Sequence, residues 1–152
     1  MWSVAWPYST ACGGTDVADE LPGTGCAPLR DERDIVQARA LVRTLSGQLK
    51  FSLVEQTKMI TAASELARNT MVYGLGGEMR WEILDEGVRR GLRLHFEDHG
   101  PGIPDVEQAL VDGWTTGTGL GMGLSGSRRL VNELVIRTQV GEGTCVSITR
   151  WK

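Results

Sequence analysis

The string SELARN at residues 64–69 constrains this chain more than any other, because it asks for a helix that presents Glu65 and Asn69 on one face. Four positions apart on a helix, a carboxylate and a carboxamide lie roughly 6 Å from each other at their Cβ atoms, so one ligand can touch both. Alone, such a pair is more often a solvated helix face. Three glycine-rich strings come after it: DHGPGIP at 98–104, GLGMGL at 119–124 and GEGT at 141–144. Each falls where a periodic segment meets a turn or opens a helix.

The periodicity between these strings sets the fold class. From about Cys26 a short strand leads to a helix start at Asp31, and Ile35, Ala38, Leu41, Val42 and Leu45 follow at helical spacing to about Lys50. A second helix is expected from Leu53 to Tyr73, burying Met59, Ile60, Ala63, Leu66, Ala67 and Thr70 and ending at Gly74, Gly76 and Gly77. Met79, Trp81 and Ile83 then alternate, as do Leu92, Leu94 and Phe96, which predicts a hairpin with one buried face. A short helix over 104–111, a loop over 113–119 and a helix over 122–132 with Leu124, Leu130 and Val131 inward precede two strands at 133–140 and 143–151. Hairpins with helices on one face make an α+β, two-layer α/β sandwich, not a doubly wound parallel sheet.

Composition narrows the function classes. A chain of 152 residues is one domain's length, and 41% hydrophobic with 23% charged residues is ordinary for a globular protein. A net charge of −3 gives no reason to expect nucleic acid. No apolar run approaches the ~18 residues of a membrane span, and the N-terminus lacks a signal peptide's pattern, so a cytoplasmic protein without membrane association is expected. Residues 1–25 show no periodicity and read as an unpacked tail, with docking of Trp2, Trp6 and Tyr8 as the alternative; residues 26–152 form the domain. Cys12, Cys26 and Cys145 match neither zinc nor redox spacing and are expected to be reduced thiols; His95 and His99 have no partner at ligand or triad spacing.

The constellation describes a pocket for magnesium and ATP. An amide oxygen such as that of Asn69 is a hard neutral donor suited to magnesium, and the carboxylate of Glu65 can accept a proton from a hydroxyl nucleophile. Asp98 ends an apolar strand just before Gly100 and Gly102, where a carboxylate can accept from the exocyclic amine of adenine and glycines let a base approach the backbone. Gly119, Gly121 and Gly123 precede a helix, whose free amides and dipole favour phosphate. Thr144 begins the last strand with a hydroxyl near the base, although turn chemistry alone also explains it. Arg128 and Arg129 can serve phosphate or a partner, with a solvated face the plainer reading for at least one. WTTGT at 114–118 is a candidate lid.

In this order and at these separations, the four strings resemble the ATP-binding (GHKL, Bergerat) fold shared by gyrase, Hsp90, histidine kinases and MutL, over about residues 26–152. DIVQARALVR, SELARN, EDHGPGIPD, GLGMGL and GEGT look most like the RsbT-type switch kinases, and Arg68 before Asn69 fits that pattern better than the anti-sigma-factor pattern. The resemblance implies that Glu65 is the catalytic base, that Asn69 holds magnesium and that Asp98 reads adenine. It implies too that Gly100, Gly102, Ile103, Gly119, Leu120, Gly121, Met122, Gly123, Leu124 and Thr144 line the nucleotide. Kinases of this type phosphorylate Ser or Thr on STAS-domain stressosome proteins and can activate a PP2C-type phosphatase, so the resemblance also implies those partners and a stress-signalling role. A module that binds partners by nucleotide state, without phosphotransfer, stays open as the alternative.

Overall fold

A computed structural model of the chain describes residues 21–111 and 123–152. Its elements run β1 (Thr24–Leu29), α1 (Glu32–Gln48), α2 (Leu53–Val72), β2 (Gly77–Asp85), β3 (Arg90–Asp98), α3 (Val106–Ala109), α4 (Gly123–Leu130), β4 (Glu133–Gln139) and β5 (Gly143–Trp151). The described strands make one antiparallel sheet in the order β1-β2-β3-β5-β4. β5 therefore sits between β3 and β4, which places the start of the last strand against the end of β3. Asp98 pairs with Thr144, and Thr144 pairs with Thr138.

Local chemistry explains where the helices start and stop. Asp31 caps α1 by accepting from the amides of Arg33 and Asp34, satisfying donors that the first turn leaves free. Ser52 and Glu55 form a capping box at the start of α2. Past its last turn the chain enters the left-handed region at Leu75 (φ 63) and Gly76 (φ 96), so the helix cannot continue.

Alternation along the strands sends Met79, Trp81, Leu92, Leu94, Phe96, Val146 and Ile148 to one face, where they form a buried core with Val42, Leu45, Met59, Ala63 and Leu66 of the helices. Gly25 lies under the Trp81 ring, where a Cβ would collide with it, and the indole donates to the Pro22 carbonyl at 3.0 Å. The opposite face is polar. Arg80 pairs there with Glu78 and Glu97, and Arg93 bonds Glu82 at 3.1 Å.

The two-layer α+β class holds, with some boundaries moved. Among the described residues, Leu21, ahead of the expected first strand, is buried and exchanges hydrogen bonds with the Gln48 side chain. Leu41 and Ile60 are partly buried, and Ala62 joins the core instead. The helix expected over 104–111 is the short α3. The loop at 113–119 lies outside the described residues. Cys145 is a free, buried thiol, but Cys26 is disulfide-bonded, contrary to the expectation of three reduced thiols; spacing along a chain does not reveal a pairing made by loop closure. His95 bonds the Ser147 hydroxyl at 2.7 Å, and burial holds its pKa below the ordinary value.

Candidate nucleotide and phosphotransfer site

Glu65 and Asn69 are both half-buried on α2, beside the stripe of Ala62, Ala63, Leu66 and Ala67 that packs on the sheet. The packing stripe fixes the helix's rotation, and with it the direction in which the pair projects. Neither side chain makes a hydrogen bond or ion pair among the described residues. Polar groups held half out of water without internal partners are poor stabilisers and are available to a ligand. The fit to magnesium is chemical: the Asn69 oxygen is a hard donor, and the described residues hold no cluster of three His, Cys, Asp or Glu. Such a site suits an ion held mainly by nucleotide phosphates and water, with one protein ligand.

The end of α2 leads directly to Asp98. The Asn69 carbonyl accepts from the amides of Tyr73 at 2.9 Å and Gly74 at 3.2 Å, and Gly74 lies so close to Asp98 that a Cβ there would collide with its carboxyl group. Asp98 Oδ1 accepts from the amides of Gly100 at 2.9 Å and Thr144 at 3.3 Å. Burial raises the Asp98 pKa above its ordinary value, and those two amides pull in the opposite direction without cancelling the effect. One carboxylate oxygen is thus fixed by backbone, and Oδ2 has no described hydrogen-bond partner.

Gly100 and Gly102 sit beside Asp98, and backbone packing supplies a reason of its own for both. A Cβ on Gly100 would lie 2.8 Å from the Gly74 Cα, and one on Gly102 (φ 79) 2.5 Å from the Gln139 carbonyl oxygen. These glycines let three turns stack backbone on backbone, and the Gly141 amide ties the stack by donating to the Pro101 carbonyl at 2.8 Å. Ile103 is half-buried and donates its amide to the Thr138 hydroxyl at 2.9 Å. Thr138 also meets Thr144 Oγ1 at 2.9 Å and donates to the Gly143 carbonyl at 3.1 Å. Sequence reasoning missed Thr138; the signal was its place three residues before GEGT, legible only once β4 and β5 are known to pair.

α4 packs against α2 and opens at Gly123 (φ 60), with Leu124 buried behind its first turn. Gly119, Leu120, Gly121 and Met122, and the candidate lid at 114–118, lie outside the described residues. Arg128 and Arg129 are exposed near the end of α4. Glu65, Asn69, Asp98, Gly100, Gly102, Ile103 and Thr144 thus come from α2, the end of β3 and its loop, and the start of β5. Gly123 and Leu124 belong to the helix beside α2.

The sequence matches the family of histidine kinase-, DNA gyrase B- and HSP90-like ATPases over residues 54–152. It is 40% identical over 126 residues to the serine/threonine-protein kinase RsbT of Bacillus subtilis, covering 83% of this chain and 95% of that protein. It is 29% identical over 121 residues to the anti-sigma F factor of Geobacillus kaustophilus, covering 74% and 81%. Among solved structures, the RsbU and RsbW domains of a Mycobacterium tuberculosis protein share the fold, with a TM-score of 0.59 at 16% identity over 84% of this chain and 32% of that one. The chain therefore belongs to the histidine kinase-, DNA gyrase B- and HSP90-like ATPase family and, within it, to the RsbT-type serine/threonine-protein kinases.

Proposed function

We propose that this protein transfers the γ-phosphoryl group of ATP to a serine or threonine hydroxyl of a STAS-domain protein, within a partner-switching pathway that governs a sigma factor. The observation that carries the reading is the pair Glu65 and Asn69, without hydrogen-bond or ion-pair partners among the described residues and half-buried one turn apart on a helix whose end abuts Asp98. Asp98 accepts from the adenine amine, and Gly119 to Leu124 take the phosphates at the start of α4. Asn69 would hold magnesium, which when bound neutralises phosphate charge. The Glu65 carboxylate receives the proton of the substrate hydroxyl as its oxygen bonds to the γ-phosphorus and the bond to the leaving ADP breaks. The released kinase then activates a PP2C-type phosphatase.

Incubation with ATP, magnesium and the STAS-domain proteins encoded nearby, followed by mass spectrometry, tests this directly. Wild type should yield a phosphoserine or phosphothreonine, and Glu65→Gln should slow single-turnover transfer by ~10²–10⁴ while ATP affinity and partner binding survive. Transfer by the variant at the wild-type rate would remove Glu65 as the base. The likeness to anti-sigma F factors supports partner binding, and a second reading makes that binding, selected by nucleotide state, the whole function with no phosphate moved. Absence of transfer by wild type to any STAS partner that it binds selects that reading.

A further inference from the structure

Thr138, Thr144 and Asp98 form one row across β4, β5 and β3, on the face that carries the core, at the end where the three turns stack. The Thr138 hydroxyl has one proton and two lone pairs. The Ile103 amide can only donate and occupies one lone pair, at 2.9 Å. The Gly143 carbonyl can only accept and takes the proton, at 3.1 Å. What remains for Thr144 Oγ1, at 2.9 Å, is the second lone pair of Thr138. With the Thr138 proton on that carbonyl, the Thr144 hydroxyl donates to Thr138, and Thr144 is left with acceptor capacity only.

We infer that Thr138 is a positioning residue that fixes the polarity of the Thr144 hydroxyl and so makes this end of the pocket select a 6-aminopurine over a 6-oxopurine. The inference rests on the reading of the pocket as an adenine-nucleotide site. Thr144 is buried, so water does little to re-satisfy a hydroxyl turned the wrong way. With its proton committed to Thr138, its oxygen joins the Asp98 carboxylate in presenting acceptors alone. An exocyclic amine meets these favourably. A carbonyl at the same position meets lone pair against lone pair. Without Thr138 the Thr144 hydroxyl is free to rotate and donate, and half of the discrimination disappears.

Calorimetric titration of the full chain with ATP and with ITP, which differ at this purine edge, measures the preference. Thr138→Val keeps the β-branched shape, and it should reduce the ATP-over-ITP preference roughly tenfold. Thr138→Ser, which restores the hydroxyl, should restore the preference. Thr144→Val should show the same reduction, and the double variant should show little more, because both changes act through one hydroxyl. Equal weakening of both nucleotides in Thr138→Val would assign Thr138 a merely structural part and overturn the inference, as would an unchanged preference. Should Thr138→Val fail to fold, Thr144→Val decides, and an undiminished preference there also overturns it. A wild-type protein that binds neither nucleotide removes the adenine-site reading and this inference with it, whereas tight ATP binding with no bias against ITP removes this inference alone.

Discussion

Asp98 carries two demands that pull its protonation in opposite directions. Burial raises its pKa, while the amides of Gly100 and Thr144 on Oδ1 favour the charged form. The net shift is upward from 3.8, so the folded protein holds this proton more tightly than the unfolded chain does. The contribution of Asp98 to stability is therefore greatest below 3.8 and declines as pH climbs through the raised value. ATP affinity should run the other way, rising with pH over the same window as the stronger, charged acceptor forms. Thermal unfolding of the free protein should show the stability of wild type relative to Asp98→Asn declining across that window, against the rise that Asp34 and Glu55 contribute to both, while calorimetry should show the ATP affinity of wild type relative to the variant increasing. The same substitution should weaken ATP binding by about 1.5–3 kcal/mol, because a charge-assisted hydrogen bond becomes an ordinary one. An Asp98→Asn variant with wild-type affinity would show that the carboxylate is not the adenine acceptor.

At the scale of elements, glycines close to one another should fail differently. A Cβ on Gly77 would collide with the carbonyl oxygen of Glu97 on the neighbouring strand, a backbone atom that moves only if β2 and β3 separate. Gly77→Ala should therefore cost about 1–3 kcal/mol of stability as overpacking and lower the denaturant midpoint. A Cβ on Gly74 would meet the side chain of Asp98 instead. Its nearest atom is the Asp98 Cβ, which the backbone fixes, so Gly74→Ala should also cost about 1–3 kcal/mol of stability and, because the Asp98 carboxyl is displaced with it, lose ATP affinity as well. Folded Gly74→Ala with wild-type ATP affinity would show that the position of the Asp98 carboxyl does not matter to the nucleotide. The elements themselves were legible in the sequence wherever the cue was local. Asp31 marks the start of α1, Gly74, Gly76 and Gly77 the end of α2, and Met79-Trp81-Ile83 against Leu92-Leu94-Phe96 the hairpin. The packing constraint on Gly100 and Gly102 was not, because the Gly74 and Gln139 backbones that crowd them are distant in sequence.

For the whole molecule, what stayed hidden was the insertion of β5 between β3 and β4, and everything at the site that depends on it. Glu65 with Asn69 was readable from helical period alone. The Asp98–Thr144–Thr138 row was readable only in part, because no local pattern states which strands will be neighbours. The same topology separates the site from the core: Asn69 is half-buried at the edge of α2, while Met59, Ala63, Leu66 and Ala67 carry the packing. Asn69→Ala should consequently unfold within about 1–2 °C of wild type when no nucleotide is present, since substitutions outside the core that break no internal contact usually change stability by no more than ~0.5 kcal/mol. Ligand linkage then isolates the metal. Nucleotide at a hundredfold excess over its dissociation constant stabilises the folded state by about 2.7 kcal/mol, which for a chain of this size raises the thermal midpoint by roughly 5–10 °C. ATP with magnesium should produce such a rise in wild type and in Glu65→Gln, whose base is not needed for binding. ATP with EDTA should produce a smaller one, and in Asn69→Ala the difference between magnesium and EDTA should vanish. An Asn69→Ala protein that retains the full magnesium-dependent rise would place the ion on some other residue, and would leave Asn69 as part of the solvated helix face.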